Sequence, residues 1–251
     1  MQDNPYESPP DSMATGGQTL SRQIRVRPFD RLQDAQVLIG DQYWLFVGMC
    51  FVGMIINGIA QGLLLGPIAC GFHLCCDDRA SGNRTTFERL FEGFEHFLPS
   101  FLATLLIMLT MVLGVFLIVA MLFTGAFFAA IGAGGNGDVF GFTLAAGIIP
   151  TVLIIIFLSF ACYIPFLFTF ALIVDQGMSP LAAIQTSWVG ARKNFWGLLG
   201  MVVLYTTILC ICGSMCYVPA FLVAPFIVGA TYLIYRDIFP NASAAYPPSV
   251  P

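Results

Sequence analysis

His73 stands in an apolar run, two residues before Cys75 and three before Cys76. An imidazole beside thiolates is donor chemistry for Zn2+ or Cu+. No second set of ligands follows at metal-ligand spacing, so the expectation is a histidine hydrogen-bonded within the fold or facing the membrane interface, with no metal and no cofactor. Cys210, Cys212 and Cys216 form a second group around the turn-like Cys212-Gly213-Ser214-Met215-Cys216. In an oxidising space Cys212 and Cys216 could close a disulfide across that turn. Cysteine is equally a small apolar packing residue, which is the reading for Cys50, Cys70 and Cys162. Asp175 and Ser179 make the sharpest polar pair and could together hold a headgroup or a cation. Each also has a backbone task, since Asp-x-Gly ends one helix and Ser179-Pro180 opens the next, and capping is the expected role. Glu88, Glu92 and Glu95 could pose as acid/base carboxylates, but Glu88 and Glu92 lie at i,i+4 and point to water together. The motifs G-x-S-x-G, H-E-x-x-H and the phosphate-binding G-x-x-x-x-G-K are absent. No catalytic, cofactor-binding or metal-ligating residue is assigned.

The elements that would carry these residues are unusually apolar. The 251 residues are 58% apolar and 10% charged, where soluble domains run at roughly 45–50% and ~25%. Of the charged side chains, ten fall in 1–41, eight in 77–95 and six elsewhere. That distribution excludes a soluble enzyme domain and a disordered chain. Ten Lys+Arg against fourteen Asp+Glu exclude a nucleic-acid partner. A multi-span membrane protein whose partner is the lipid bilayer remains.

Four stretches lack Asp, Glu, Lys and Arg: 42–76, 96–137, 139–174 and 194–235. A helix needs ~20 apolar residues to cross ~30 Å of hydrocarbon, and only helices or closed barrels satisfy the backbone there. The last stretch divides into Phe195–Ile211 and Tyr217–Tyr235. The middle two read as one long helix each, Phe97–Ala130 and Phe140–Val174, separated by the Gly-rich link 132–138, with Pro150 and Pro165 as candidate kinks. The first is ambiguous. It makes either two spans with a turn near Asn57–Gln61, or one span and a re-entrant piece. Gly58, Gly62 and Gly66 conflict with the turn, because as a continuous G-x-x-x-G series they would present one flat helical face. Asn57 and Gln61 are read as interhelical hydrogen-bonding or turn residues. All ten basic residues fall in the N-terminal tail, in the connections 77–95 and 175–194, or at Arg236. Positive-inside then places both termini in the cytoplasm and requires an even number of crossings in 42–76.

The expected organisation is a disordered cytoplasmic tail (1–28), an all-α six-helix transmembrane domain (29–239) and a disordered C-terminal tail (240–251). Three hinges have one form: Asp41-Gln42-Tyr43-Trp44, Glu95-His96-Phe97-Leu98 and Lys193-Asn194-Phe195-Trp196. Each follows an amphipathic segment and precedes a span. In the second, Thr85 and Glu88 form a capping box, and Phe87, Leu90, Phe91, Phe94 and Leu98 share one helical face. In the third, Ser179 is the N-cap, Pro180 opens the helix, and Leu181, Ile184 and Trp188 form a buried stripe. In the first, Phe29, Leu32 and Ile39 form a weaker one. The chain thus reads as three units of an interfacial amphipathic helix plus two spans, with Trp44, Trp188 and Trp196 at the headgroup level.

Between Val174 and Trp188, Asp175-x-Gly177-x-Ser179-Pro180-x-x-Ala183-Ile184-x-x-Ser187 resembles a segment shared by bacterial multi-pass proteins. These are domain-of-unknown-function families akin to the membrane domain of some glycerophosphoryl diester phosphodiesterases. Phe91-Glu92-Gly93-Phe94 and Tyr232-Leu233-Ile234-Tyr235-Arg236-Asp237 resemble the same group. The resemblance covers roughly residues 29–239. It implies six helices and the bacterial inner membrane, and no established chemistry. The functional expectation is a non-enzymatic accessory or scaffold protein in envelope homeostasis, with Gly-rich helix faces available for homo- or hetero-oligomers. The alternatives are a transporter or channel for a neutral or lipidic solute, which requires a cavity between spans, and a thiol-redox or lipid-active membrane enzyme, which requires Cys75/Cys76 or a His–carboxylate pair converging at one membrane face.

Overall fold

The computed structural model describes residues 21–24, 27–132, 163–214 and 218–240. These residues are mostly helical, with no strand among them. Helix α1 (Pro28–Ile39) begins with its proline in the first turn, where a missing N–H costs little. One 3-10 turn, Gly40–Gln42, leads into α2 (Tyr43–Ile59), and a tight turn reverses the chain into α3 (Leu65–Ala80). Next come α4 (Phe87–Glu92), a second 3-10 turn (Gly93–His96) and the 36-residue α5 (Phe97–Gly132). The described chain resumes with a 3-10 turn, Ile164–Phe166, and then α6 (Thr169–Gln176), α7 (Pro180–Lys193), α8 (Phe195–Ser214) and α9 (Val218–Ile238).

Among the described residues, four helical stretches are long and apolar enough to cross a bilayer: Pro28–Ile59, Phe87–Gly125, Phe195–Ser214 and Pro219–Ile238. Phe87–Gly125 reaches a mean hydropathy of 3.0. Leu109, Val112, Phe116, Met121 and Phe123 on it lie outside the protein core, an apolar surface that suits lipid rather than water. At about 1.5 Å per residue α5 exceeds the hydrocarbon thickness, as expected of its sequence. Helix α3 has 16 residues and does not qualify by length. Most of the expected span Phe140–Val174 lies outside the described residues, as do Pro150, Cys162, Cys216 and nearly all of the Gly-rich link. The disulfide expected between Cys212 and Cys216 therefore falls outside them too. At Pro165 the described part is 3-10 rather than α-helical, so the chain departs there from a continuous helix.

One open alternative is decided and two local expectations are corrected. First, of the two readings of 42–76 the turn holds, and Gly58, Gly62 and Gly66 do not share a helical face. The chain turns at 60–64, where the Gly62 N–H bonds Asn57 O (2.8 Å) and both Gln61 and Gly62 take positive φ. Second, Thr85 caps nothing. Helix α4 begins at Phe87 with Thr86 at its cap position, and the Thr85 backbone is instead held by the Gln42 amide. Gln42 Nε2 donates to Thr85 O (2.9 Å) and the Thr85 N–H donates to Gln42 Oε1 (3.0 Å). Third, the buried face of α7 is Ala183, Ser187, Gly190 and Ala191, whereas Leu181 and Trp188 are turned outward. Small residues face the protein because the neighbouring helices approach closely there. Ser179 and Pro180 stand where expected, at the N-cap and first position of α7, and Gly177 ends α6 in the left-handed conformation.

The larger core joins α6 to α9 through Phe168, Leu172, Leu198, Met201 and Ile234. A smaller one joins α1, α2, α3 and α9 through Ile39, Phe46, Met49, Cys75 and Tyr232. Helix α3 is the internal post: it packs against α4, the Gly93–His96 turn, α5 and α6. The approach is backbone to backbone at Gly71 and Gly93, where a Cβ would fall 1.9 Å from Leu90 O and 2.4 Å from Pro67 O respectively. Upstream of α1, within the stretch expected to be tail, the Arg22 N–H bonds Ile238 O (2.8 Å) and the Ile24 N–H bonds Asn194 Oδ1 (2.8 Å).

Candidate functional site

Helix α3 carries His73 and Asp77 one turn apart, hence on the same side. Helix α9 presents Tyr232, Tyr235 and Arg236 at i, i+3 and i+4. The short helix α6 delivers Asp175 from its last turn, just before Gly177 stops it. These three elements converge in a polar network of two layers.

The inner layer is buried. His73 Nε2 lies 2.8 Å from Asp175 Oδ1, with side-chain exposures of 7% and 15%. An ionised carboxylate can only accept, so Nε2 is the donor of that bond. The imidazole is flanked by the rings of Tyr232 and Tyr235, each 5.1 Å away between centroids. The Tyr235 hydroxyl is buried and interacts with the Asp175 carboxylate.

The outer layer is half-exposed. The Tyr232 hydroxyl donates to Asp77 Oδ1 (2.7 Å) and accepts from an Arg236 guanidinium N–H (2.8 Å), which also stands 3.5 Å from Asp77. Beyond it, Asp78 pairs with Arg89 at 3.0 Å. Burial raises the Asp78 carboxyl above its ordinary range, against the opposing pull of the Arg89 guanidinium.

Next to the inner layer a cavity of about 430 Å3 opens between α2, α3, α6 and α9. His73, Cys76, Tyr232 and Tyr235 line one end, and Gly53, Met54, Leu65 and Ile68 line its walls toward the α2–α3 turn. Its volume falls in the ~300–1,000 Å3 range of small-molecule sites. Among the described residues no Lys, Arg, Asp or Glu lines it. At the turn end, the Asn57 side-chain oxygen is buried without a partner.

No family model, no curated protein and no solved structure matches this chain.

The placement of the sequence candidates is uneven. His73 is hydrogen-bonded, as expected, and its partner is Asp175. The expected capping task of Asp175 thus understates it: the residue ends α6 by position, while its carboxylate serves a histidine 102 residues away. Ser179 stays at the α7 N-cap position without a side-chain cap bond. Cys75 and Cys76 are fully buried, and only Cys76 reaches the cavity. No hydrogen bond among the described residues joins its thiol to His73. Among the described residues no three His, Cys, Asp or Glu side chains gather as a metal site. Glu92 pairs with Arg89 and Glu88 is exposed. Tyr232, Tyr235, Asp77 and Arg236 were not singled out as site residues from the sequence. The available signal was two tyrosines and an arginine on one face at the end of a span, opposite a lone histidine in an apolar run.

Proposed function

We propose that this chain is a non-enzymatic integral membrane protein that holds a lipidic solute between its helices. The observation that carries this reading is the cavity: apolar walls, no charged lining residue among those described, and a polar end built from His73 and Tyr235. That is the division of labour an amphiphile needs, an apolar body for its chain and a few placed polar groups for its head. The protein then acts as an accessory in membrane homeostasis, or as the binding step in the passage of a neutral or lipidic solute.

The membrane setting belongs to the same proposal. Six spans in the bacterial inner membrane, both termini in the cytoplasm and three units of interfacial helix plus two spans are supported by the basic residues in the tails and connections, while kinship with the phosphodiesterase-associated membrane domain rests on the Asp175–Ser187 and Tyr232–Asp237 motifs. They are further supported by the helix–hinge–helix joints at 40–42, 93–96 and Asn194. Trp44 and Trp196, 75% and 77% exposed, fit an aromatic belt.

The test is lipid retention. Purified in mild detergent, the protein should carry co-purifying lipid detectable by native mass spectrometry. Ala171→Trp, which projects an indole into the cavity wall, should displace it while the protein stays folded. Protein that emerges lipid-free, or lipid that is unaffected by Ala171→Trp, refutes the reading. A second reading, a lipid-active membrane enzyme, is favoured by the His73–Asp175 pair, an arrangement that orients a general base. It requires turnover that His73→Ala abolishes without loss of lipid binding.

A further inference from the structure

We infer that the outer face of α7 binds the phosphate of an anionic lipid through Arg192 and Lys193, beside Trp188 and Trp196. The inference rests on the membrane setting proposed above and is independent of the cavity.

The face is continuous along the helix. Leu181, Gln185, Trp188 and Arg192 follow at helical spacing, Val189 and Lys193 stand beside the last two, and all six are exposed. Trp196, four residues past Arg192 at the start of α8, is exposed as well. The opposite side of α7 is the buried row of Ala183, Ser187, Gly190 and Ala191. The outer side thus joins apolar area to two cations, with an indole before and after them. Tryptophan suits the headgroup level, where an amphipathic ring meets both acyl chain and polar head.

The protein leaves the charge of this face unanswered. Arg27, Arg31, Arg79, Arg89 and Arg236 each pair with a carboxylate. Helices α1 and α4 carry acids of their own, Asp30 and Asp34 on one and Glu88 and Glu92 on the other. From Gln176 to Arg236 the sequence contains no Asp or Glu. Neither Arg192 nor Lys193 forms an ion pair among the described residues. The C-terminal end of a helix offsets about half a unit charge, less than the two cations bring. One of them is also held in place. Lys193 Nζ donates to Ser21 O (3.1 Å), in the segment that Asn194 binds at Arg22 O and the Ile24 N–H. An ammonium has three N–H donors, so two remain for a ligand. An anionic lipid answers both parts of the face, its phosphate on the cations and its chains along the indoles. A zwitterionic lipid answers the apolar part alone, because its own cation offsets the phosphate.

The experiment uses the full chain carrying Trp44→Phe, so that Trp188 and Trp196 are the only indoles, reconstituted in phosphatidylcholine vesicles. Brominated phosphatidylglycerol and brominated phosphatidylcholine then serve as quenchers of tryptophan fluorescence. Phosphatidylglycerol should bind at least about fivefold more strongly, and the preference should weaken as salt is added. Arg192→Gln with Lys193→Gln, both on exposed side chains, should bring the preference to about one without shifting the melt. Arg84→Gln removes one charge from an exposed arginine outside this face and should leave the preference intact. Equal quenching by the two lipids overturns the inference. So does a loss of preference in Arg84→Gln equal to that in Arg192→Gln, which would mean diffuse charge rather than a site. Inorganic phosphate that abolishes the preference at matched ionic strength reassigns the cations to a free anion and overturns the lipid assignment. Quenching by neither lipid, in protein that resists carbonate extraction, overturns the inference and leaves the membrane setting standing. Protein released by carbonate removes the membrane setting, and the inference with it.

Discussion

Replacing Gly71 by alanine tests whether α3 is the post on which the other helices rest. The added Cβ would fall 1.9 Å from Leu90 O, where ordinary contact begins at 3.4 Å. The obstacle is main chain on both sides, so no side chain can swing away and α3 and α4 must separate. Overpacking costs about 1–3 kcal/mol and occasionally more, and a backbone obstacle belongs at or above the upper end. Against this, alanine in a helix gains about 1 kcal/mol over glycine. The expected net loss is therefore at least about 2 kcal/mol. Gly58→Ala is the matched control, because nothing lies within 4 Å of its Cβ position. It should be neutral or up to about 1 kcal/mol more stable. Thermal unfolding in mild detergent, followed by circular dichroism, reads the difference; at ~2–4 °C per kcal/mol, Gly71→Ala should melt about 4–8 °C below wild type. Gly93→Ala meets the Gly71 amide nitrogen at 2.3 Å and should behave alike. The double variant should cost less than the two singles together, because one separation of the helices relieves both clashes. If Gly71→Ala melts with Gly58→Ala, α3 does not meet α4 backbone to backbone and the packing scheme is wrong.

Two further variants address the joints. Gln42→Ala removes both hydrogen bonds to the Thr85 backbone, which closes a contact across 43 residues, and should destabilise by about 1–3 kcal/mol in the same melt. Gln42→Glu, which keeps the acceptor and loses the donor, should fall between. Asn194, 5% exposed, accepts from the Ile24 N–H and donates to Arg22 O and Gly190 O. Asn194→Ala should free the segment before α1, so that trypsin cuts after Arg22 faster than in wild type, while the melt shifts by only about 1–2 kcal/mol. An unchanged cleavage rate would show that the Arg22 N–H bond to Ile238 O and the Lys193 ammonium on Ser21 O hold the segment without Asn194.

Much of the helix layout was legible because its signals are local. The hinge at Asn194, the Gly177 stop and the Ser179-Pro180 start are all read from neighbours within a few residues, and they stand where expected. Thr85 failed for the converse reason. A capping box presumes that the threonine side chain is the best partner for nearby N–H groups, but Gln42 of another helix joint took the Thr85 backbone instead. The α7 stripe failed because apolar size alone does not tell protein from lipid. Leu181 and Trp188 are apolar and face outward, while the close protein contact selects Ala183, Ser187 and Gly190. His73 was visible as an anomaly, but Asp175 as its partner was not, since a pairing across 102 residues leaves no mark in spacing.

The ambiguity of residues 42–76 has a physical origin in the same distinction. A hydropathy count finds helices whose surfaces meet lipid, and α5 is the extreme case, apolar on every side and largely outside the core. Helix α3 meets protein over most of its surface: Gly66, Pro67, Ile68, Cys70, Gly71, His73, Cys75 and Cys76 are all buried. A helix enclosed in this way has no need to match the bilayer in length or to exclude polar side chains, because its neighbours satisfy what lipid cannot. That is why it can hold His73 at depth and end in Asp77 and Asp78, both of which find partners. It is also why glycines, which a span count scores as neutral, are the residues that matter most on it. The polar site and the least span-like helix are thus one feature: a histidine is tolerated in the interior only where an enclosed helix brings it against a carboxylate and two tyrosines.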